Sequence, residues 1–121
     1  VKGVVVADYR ITVRRTNTGV CEGVLEFFVD GMSRFSTTCW EDPKNLIGAK
    51  TYTGCSATTM FAKGYKGVFI PDEQTGKKGI FIHQGSKPSH SDGCIVCAAG
   101  RVEEIFDEVP RNGRNITVVV S

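Results

Sequence analysis

The stretch VCEGVLEFFVDGMSRFSTTCW, from Val20 to Trp40, decides the fold class. Val20 to Val29 is rich in β-branched and aromatic residues, which favour a strand. Asp30-Gly31 follows, and glycine accepts the positive φ that a tight hairpin turn of the primed types requires. Arg34 to Trp40 then reads as the returning strand. Upstream, Tyr9 to Arg14 alternates: Ile11 and Val13 fall on one face and Arg10, Thr12 and Arg14 on the other, the period of a half-buried strand. Downstream, the polar run Glu41 to Asn45 ends the pairing. Residues 46–56, with Gly48 and Gly54, read as a loop holding at most a short strand at Lys50 to Thr53. Ala57 to Ala62, Gly67 to Pro71 and Gly79 to His83 are further short strands separated by Gly, Pro and charged residues. Arg101 to Val109 is the one segment with a helical stripe, because Val102, Ile105, Phe106 and Val109 recur at i, i+3, i+4 and i+7. Pro110 stops it, and Asn115 to Val120 closes the chain as a strand. The expected fold is mainly β, an antiparallel sandwich or barrel with one short C-terminal helix.

The chain of 121 residues has the length of a single domain spanning 1–121 and holds no internal repeat. Fifteen Lys+Arg against thirteen Asp+Glu leave a net charge of +2, too balanced for a nucleic-acid footprint. No apolar run approaches the ~18 residues of a membrane helix. The five cysteines cannot all pair within the chain, so at least one remains a thiol.

Reactive residue types concentrate in IFIHQGSKPSHSDGCIVCAAG, Ile80 to Gly100. Both histidines are here, His83 at the end of one apolar run and His90 in the loop after it. Cys94 opens the next apolar run after the turn Ser91-Asp92-Gly93. If both strand ends lie in one sheet, imidazole and thiol come within reach. A histidine beside a thiol stabilises the thiolate, the nucleophilic form. Gly93 lets the backbone approach a substrate and aim N–H groups at a developing oxyanion. Zinc is the competing reading, since Cys94-x-x-Cys97 has knuckle spacing and two histidines are near. Against it, the run from Gly93 to Ala98 reads as a strand, in which Cys94 and Cys97 point to opposite faces. No metal or other cofactor is therefore expected. The plainer readings are a solvated loop histidine for His90 and small buried hydrophobes for Cys21, Cys39, Cys55 and Cys97.

The elements Ile82-His83-Gln84-Gly85 and Ser91-Asp92-Gly93-Cys94-Ile95 resemble the active-site signature of the L,D-transpeptidase (YkuD-type) cysteine enzymes. The resemblance is closer still to a small branch of that fold, a domain of unknown function common in phage and bacterial genomes. Thr37 to Asp42 and Lys50 to Cys55 are also similar to that branch. The resemblance implies that Cys94 is the nucleophile, His83 its base, and Gly93 with Cys94 the oxyanion donors. It puts Gly85, Ser91, Asp92 and His90 on the substrate-binding side of the loop. Three positions depart from the transpeptidase pattern: Asp92 replaces a second histidine, Gln84 is inserted before Gly85, and Val96 stands where an arginine is usual.

Two function classes follow. The first is a cysteine acyl-transfer enzyme acting on peptidoglycan stem peptides, as peptidase or transpeptidase, in the periplasm, at the cell wall or delivered by a phage. The second is a non-catalytic module on the same scaffold that binds cell wall or a partner protein.

Overall fold

The computed structural model describes residues 7–17, 19, 21–60, 64–91 and 93–121. Val20, Ala62 and the site candidate Asp92 lie outside the described residues. Eight strands form a closed barrel: β1 Tyr9–Asn17, β2 Glu22–Val29, β3 Met32–Glu41, β4 Thr51–Thr59, β5 Lys66–Ile70, β6 Ile80–Gln84, β7 Ile95–Cys97 and β8 Ile116–Val120. Their order around the barrel is β1-β2-β3-β7-β6-β5-β4-β8. Closure leaves no open sheet edge, which disposes of the unpaired backbone groups an open sheet would expose. The mainly β barrel expected from the sequence is the one observed, with two parallel strand pairs among the antiparallel ones.

The β2–β3 hairpin forms around Asp30 and Gly31, with φ of 53° and 79°, and Val29 faces Met32 across the turn. Strand β1 alternates as its sequence predicts, placing Ile11 and Val13 in the core. Strand β4 corrects the reading of residues 46–56 as loop: it starts at Thr51 and continues to Thr59. Its pairing with β8 slips between Tyr52 and Cys55, where Gly54 sits at φ 67°. That bulge breaks the alternation on which the sequence reading relied.

Two helices accompany the barrel. The single turn α1, Asp72–Thr75, is too short to leave a periodic signature. Helix α2, Ala99–Glu108, buries Val102, Ile105 and Phe106 as its stripe requires, and the chain returns to extended backbone at Val109. Its side chains reach Lys66 on β5 through Glu103, and Arg34 on β3 through Glu108. It therefore bridges two sides of the barrel while its apolar residues join one continuous core with Phe27, Tyr52, Val68 and Ile82.

Two strand pairs are parallel, β1 with β8 and β6 with β7. The second decides where the candidate site residues meet. Glu41, buried at the end of β3, receives Arg15 of β1 through two hydrogen bonds of 2.9 and 2.8 Å, and Arg15 also donates to the Ile47 carbonyl at 2.7 Å. The carboxylate holds the guanidinium's pKa above its usual value. This ion pair pins residues 42–50 against the barrel, beside the turn that carries Cys94.

Candidate functional site

His83 lies on β6, and Cys94 immediately precedes β7. Ile80, Ile82, Ile95 and Cys97 belong to the core cluster, so by alternation Phe81, His83 and Val96 share the outer face. Ile82 pairs with Ile95 and His83 with Val96. Cys94 is therefore level with Phe81, one two-residue step from His83. Strand rise and spacing put the Cα atoms of His83 and Cys94 roughly 8 Å apart on that diagonal. His83 and Cys94 are thus close neighbours across the β6–β7 seam. Sequence reasoning treated β6 and β7 as members of a mainly antiparallel sheet. They are parallel, so the chain leaves β6 after Gln84 and returns to the opposite end before β7 begins.

The Cys94 thiol is held in the seam between these strands. Its Sγ accepts the Phe81 N–H at 3.4 Å and lies 3.7 Å from the Gly79 carbonyl, to which the thiol donates. In a regular parallel ladder the backbone of residue 93 would occupy that position. Gly93 instead turns the chain aside at φ 93°, a conformation that favours glycine, and the Cys94 side chain takes over the two bonds. The Phe81 N–H is a donor that stabilises sulfur as a thiolate. The residue is only 6% exposed.

The turn before Cys94 is built by Ser91. Pro88–His90 forms one 3₁₀ turn, and the Ser91 N–H donates to the Pro88 carbonyl at 3.0 Å. Fully buried, the Ser91 hydroxyl donates to the Cys94 carbonyl and accepts the Asp42 N–H at 3.0 Å. The Cys94 N–H donates to the Ser91 carbonyl at 2.8 Å. It is thus already engaged, so an oxyanion at Cys94 needs either release of this bond or other donors. Asp42 is itself fixed: its carboxylate accepts the Lys44 N–H and the Asn45 amide, which hold its pKa below the usual value.

His83 is 2% exposed and its ring is oriented from two sides. Nδ1 lies 2.8 Å from the Gln84 carbonyl. A carbonyl only accepts, so Nδ1 carries the proton in the neutral ring and Nε2 is left as the basic nitrogen. Tyr65 stacks on the ring with centroids 6.3 Å apart and planes 28° from parallel. Tyr65 escaped sequence reasoning, because a lone aromatic just before a short strand carries no spacing signal.

A cavity of about 440 Å³ opens on this side, walled by Tyr65, His83, Gly85, His90 and the start of α2 at Ala98 and Ala99. Cys94 is not part of its wall. His90 is exposed, and its Nδ1 accepts the Ser86 N–H at 3.1 Å, which closes the loop after β6. Gly85 is a packing requirement here. A Cβ on it would stand 2.7 Å from the Val96 Cβ and 3.0 Å from the His90 Cβ. Gly85→Ala is accordingly expected to push β6 from β7 and to destabilise the chain by ~1–3 kcal/mol, the usual cost of overpacking. Urea unfolding checks this, and an unchanged midpoint would contradict the packing.

The remaining cysteines are held as protonated thiols in the closed barrel. None of the five is in a disulfide, and all are buried. Burial pushes the thiols of Cys39, Cys55 and Cys97 up to about 12. Among the described residues no group of three or more His, Cys, Asp or Glu side chains is arranged to hold a metal. Cys97 packs in the core, whereas the Cys94 thiol lies in the β6–β7 seam before β7 begins, which does not suit a shared zinc.

These features define a closed β-barrel with a histidine on β6 and a cysteine at the entry to β7. Comparison with solved structures agrees: the chain superimposes on an L,D-transpeptidase from Mycobacterium smegmatis with a TM-score of 0.63. The alignment covers 95% of this chain at 15% identity. It covers 59% of the mycobacterial chain, so the present chain spans less than two thirds of that protein. No family model matches the sequence, and no curated protein matches it. No helix is long and apolar enough to cross a membrane, among the described residues.

Proposed function

We propose that the chain is a cysteine acyl-transfer enzyme whose substrates are peptidoglycan stem peptides. The observation that supports this reading is the nearness of His83 on β6 to Cys94 at the entry to the parallel strand β7, with the His83 Nδ1 against the Gln84 carbonyl so that Nε2 is the basic nitrogen. The similarity of fold to a mycobacterial L,D-transpeptidase supports the substrate class.

In this reading Nε2 of His83 takes the Cys94 thiol proton. Sulfur attacks the carbonyl carbon of a peptide bond, and the carbonyl π electrons move to oxygen. The Gly93 N–H, joined by the Cys94 N–H on release from Ser91, meets the oxyanion. Collapse breaks the C–N bond, the imidazolium protonates the leaving amine, and a thioester remains. Water or an amine then attacks the thioester, giving hydrolysis or transpeptidation, and sulfur leaves as thiolate. The cavity beside His83 would hold part of the peptide substrate next to the imidazole. Gly85 and His90 would shape its wall, whereas Ser91 acts by fixing the Cys94 turn. The closer likeness to the small phage and bacterial branch is part of this proposal.

A second reading is favoured by one feature: the thiol is held in the strand seam and is nearly inaccessible. A non-catalytic module binding cell wall or a partner protein would need no more than that. Incubation with purified muropeptides followed by mass spectrometry separates the two. The enzyme reading expects a new peptide product, with water or an amine at the cut carbonyl. Recovery of unchanged muropeptides, with retention of the chain on insoluble peptidoglycan, would establish the binding module instead.

A further inference from the structure

Cys39 on β3 and Cys97 on β7 face each other directly across an antiparallel pair. The kind of pair follows from the backbone. The Glu41 N–H donates to the Cys21 carbonyl at 2.9 Å, so Glu41 and, two residues back, Cys39 turn their polar groups toward β2. The Cys97 carbonyl accepts the Gly85 N–H at 2.9 Å, so Cys97 turns its own toward β6. The ladder bonds between β3 and β7 therefore belong to Trp40 and Val96, and Cys39 with Cys97 is a non-hydrogen-bonded pair. Cα atoms in such pairs are about 4.5 Å apart, with side chains closer than at bonded positions. That is within the roughly 4.4–6.8 Å span of disulfides.

Both side chains point into the core and are at most 1% exposed. Gly23 is the β2 neighbour of Cys39, and a Cβ there would stand 3.3 Å from the Cys39 sulfur. Glycine thus leaves the sulfur room to change rotamer. Among the described residues no other two cysteines are cross-strand partners. Cys97 packs in the core, whereas Cys94, though close in sequence, has its thiol in the β6–β7 seam.

We infer that Cys39 and Cys97 are a disulfide site: under oxidising conditions they join and staple β3 to β7. The step consumes a small-molecule disulfide such as glutathione disulfide. One thiolate attacks it, forming a mixed disulfide and releasing one glutathione thiol. The second thiolate attacks the protein sulfur of that mixed disulfide, forming the Cys39–Cys97 bond and releasing the second. Two protein thiols are oxidised and one glutathione disulfide is reduced. Access comes through the seam itself. Strand β7 is only three residues long, so its pairing is the shortest contact in the barrel and the natural place for local opening. The staple would fix the strand that begins one residue after Cys94, and its formation does not depend on the proposed chemistry at Cys94.

The test is incubation of the full chain with glutathione disulfide, alkylation after unfolding, and non-reducing peptide mapping. One cross-link is expected, joining the peptides that contain Cys39 and Cys97, with Cys21, Cys55 and Cys94 in no protein–protein cross-link. The oxidised chain should unfold at higher urea and revert with dithiothreitol. Cys39→Ala and Cys97→Ala should each abolish the cross-link. Because a core substitution can unfold the barrel, the assignment rests on the map of the unsubstituted chain. A cross-link between any other pair, a link between two chains, or glutathione adducts with no internal cross-link would overturn it.

Discussion

Replacing Cys94 by alanine is expected to reduce turnover of a muropeptide substrate by at least about 10³-fold, and by as much as ~10⁶, while leaving the barrel folded. The range follows from the loss of a covalent nucleophile, for which binding and oxyanion donors sustain only residual rates. The sulfur's contacts to the Phe81 N–H and the Gly79 carbonyl would be lost, at a cost of about 1–3 kcal/mol in stability, short of unfolding a domain of ordinary stability. His83→Ala should also suppress turnover, but part of that loss would be recoverable at higher pH, where a greater fraction of a thiol ionises unaided. Circular dichroism on both variants separates lost chemistry from lost fold. Equal activity of Cys94→Ala and the parent chain would remove the nucleophile from the mechanism.

Three buried thiols should make stability fall steeply from about pH 9 upward. Cys39, Cys55 and Cys97 ionise near 9.0 when unfolded and are pushed up to about 12 by burial in the barrel. Below 9 all three thiols are protonated in both states, so their contribution is complete and constant. Above 9 the unfolded chain releases protons that the folded chain retains, and stability falls until about 12. Three such groups give a slope of about 4 kcal/mol per pH unit. Buried Tyr52, whose pKa is also raised by desolvation, acts in the same direction at the upper end. A domain of ordinary stability, roughly 5–15 kcal/mol, would be unfolded within a few units. Circular dichroism against pH in the presence of reductant measures this. Cys55→Ala should lower the slope by about a third. A fold that persists unchanged to pH 12, or a slope indifferent to Cys55, would contradict the burial of these thiols.

The legible parts of the fold are those whose signals are local. The β2–β3 hairpin was readable because Asp30-Gly31 dictates its turn, and α2 because Val102, Ile105 and Phe106 form one stripe. Strand β4 was obscured by the bulge at Gly54, which interrupts its alternation. Strand β7 offered no period at all: Val96 faces outward yet is fully buried against its surroundings, so Ile95 to Cys97 is a continuous apolar run. Such runs belong to strands covered on both faces, typical of parallel pairing.

The site was legible in its residue types and not in its geometry. His83 and Cys94 stand out by chemistry and by their places at the ends of apolar runs. Their relation depends on the parallel register of Ile82 with Ile95, a long-range property that no neighbouring residue encodes. Ser91 resembles a substrate-side residue in sequence, whereas its hydroxyl is spent on Cys94 and Asp42. Tyr65 belongs to the site only because the barrel carries it onto the His83 ring.

Trapping the acyl-enzyme tests the central claim most directly. The chain is mixed with a stem-peptide substrate, quenched in acid within the first turnover and mapped by mass spectrometry. An acyl group, thioester-linked and released by hydroxylamine, is expected on Cys94 alone. An acyl group on any other residue, or product formation through turnover with Cys94 never acylated, would contradict it.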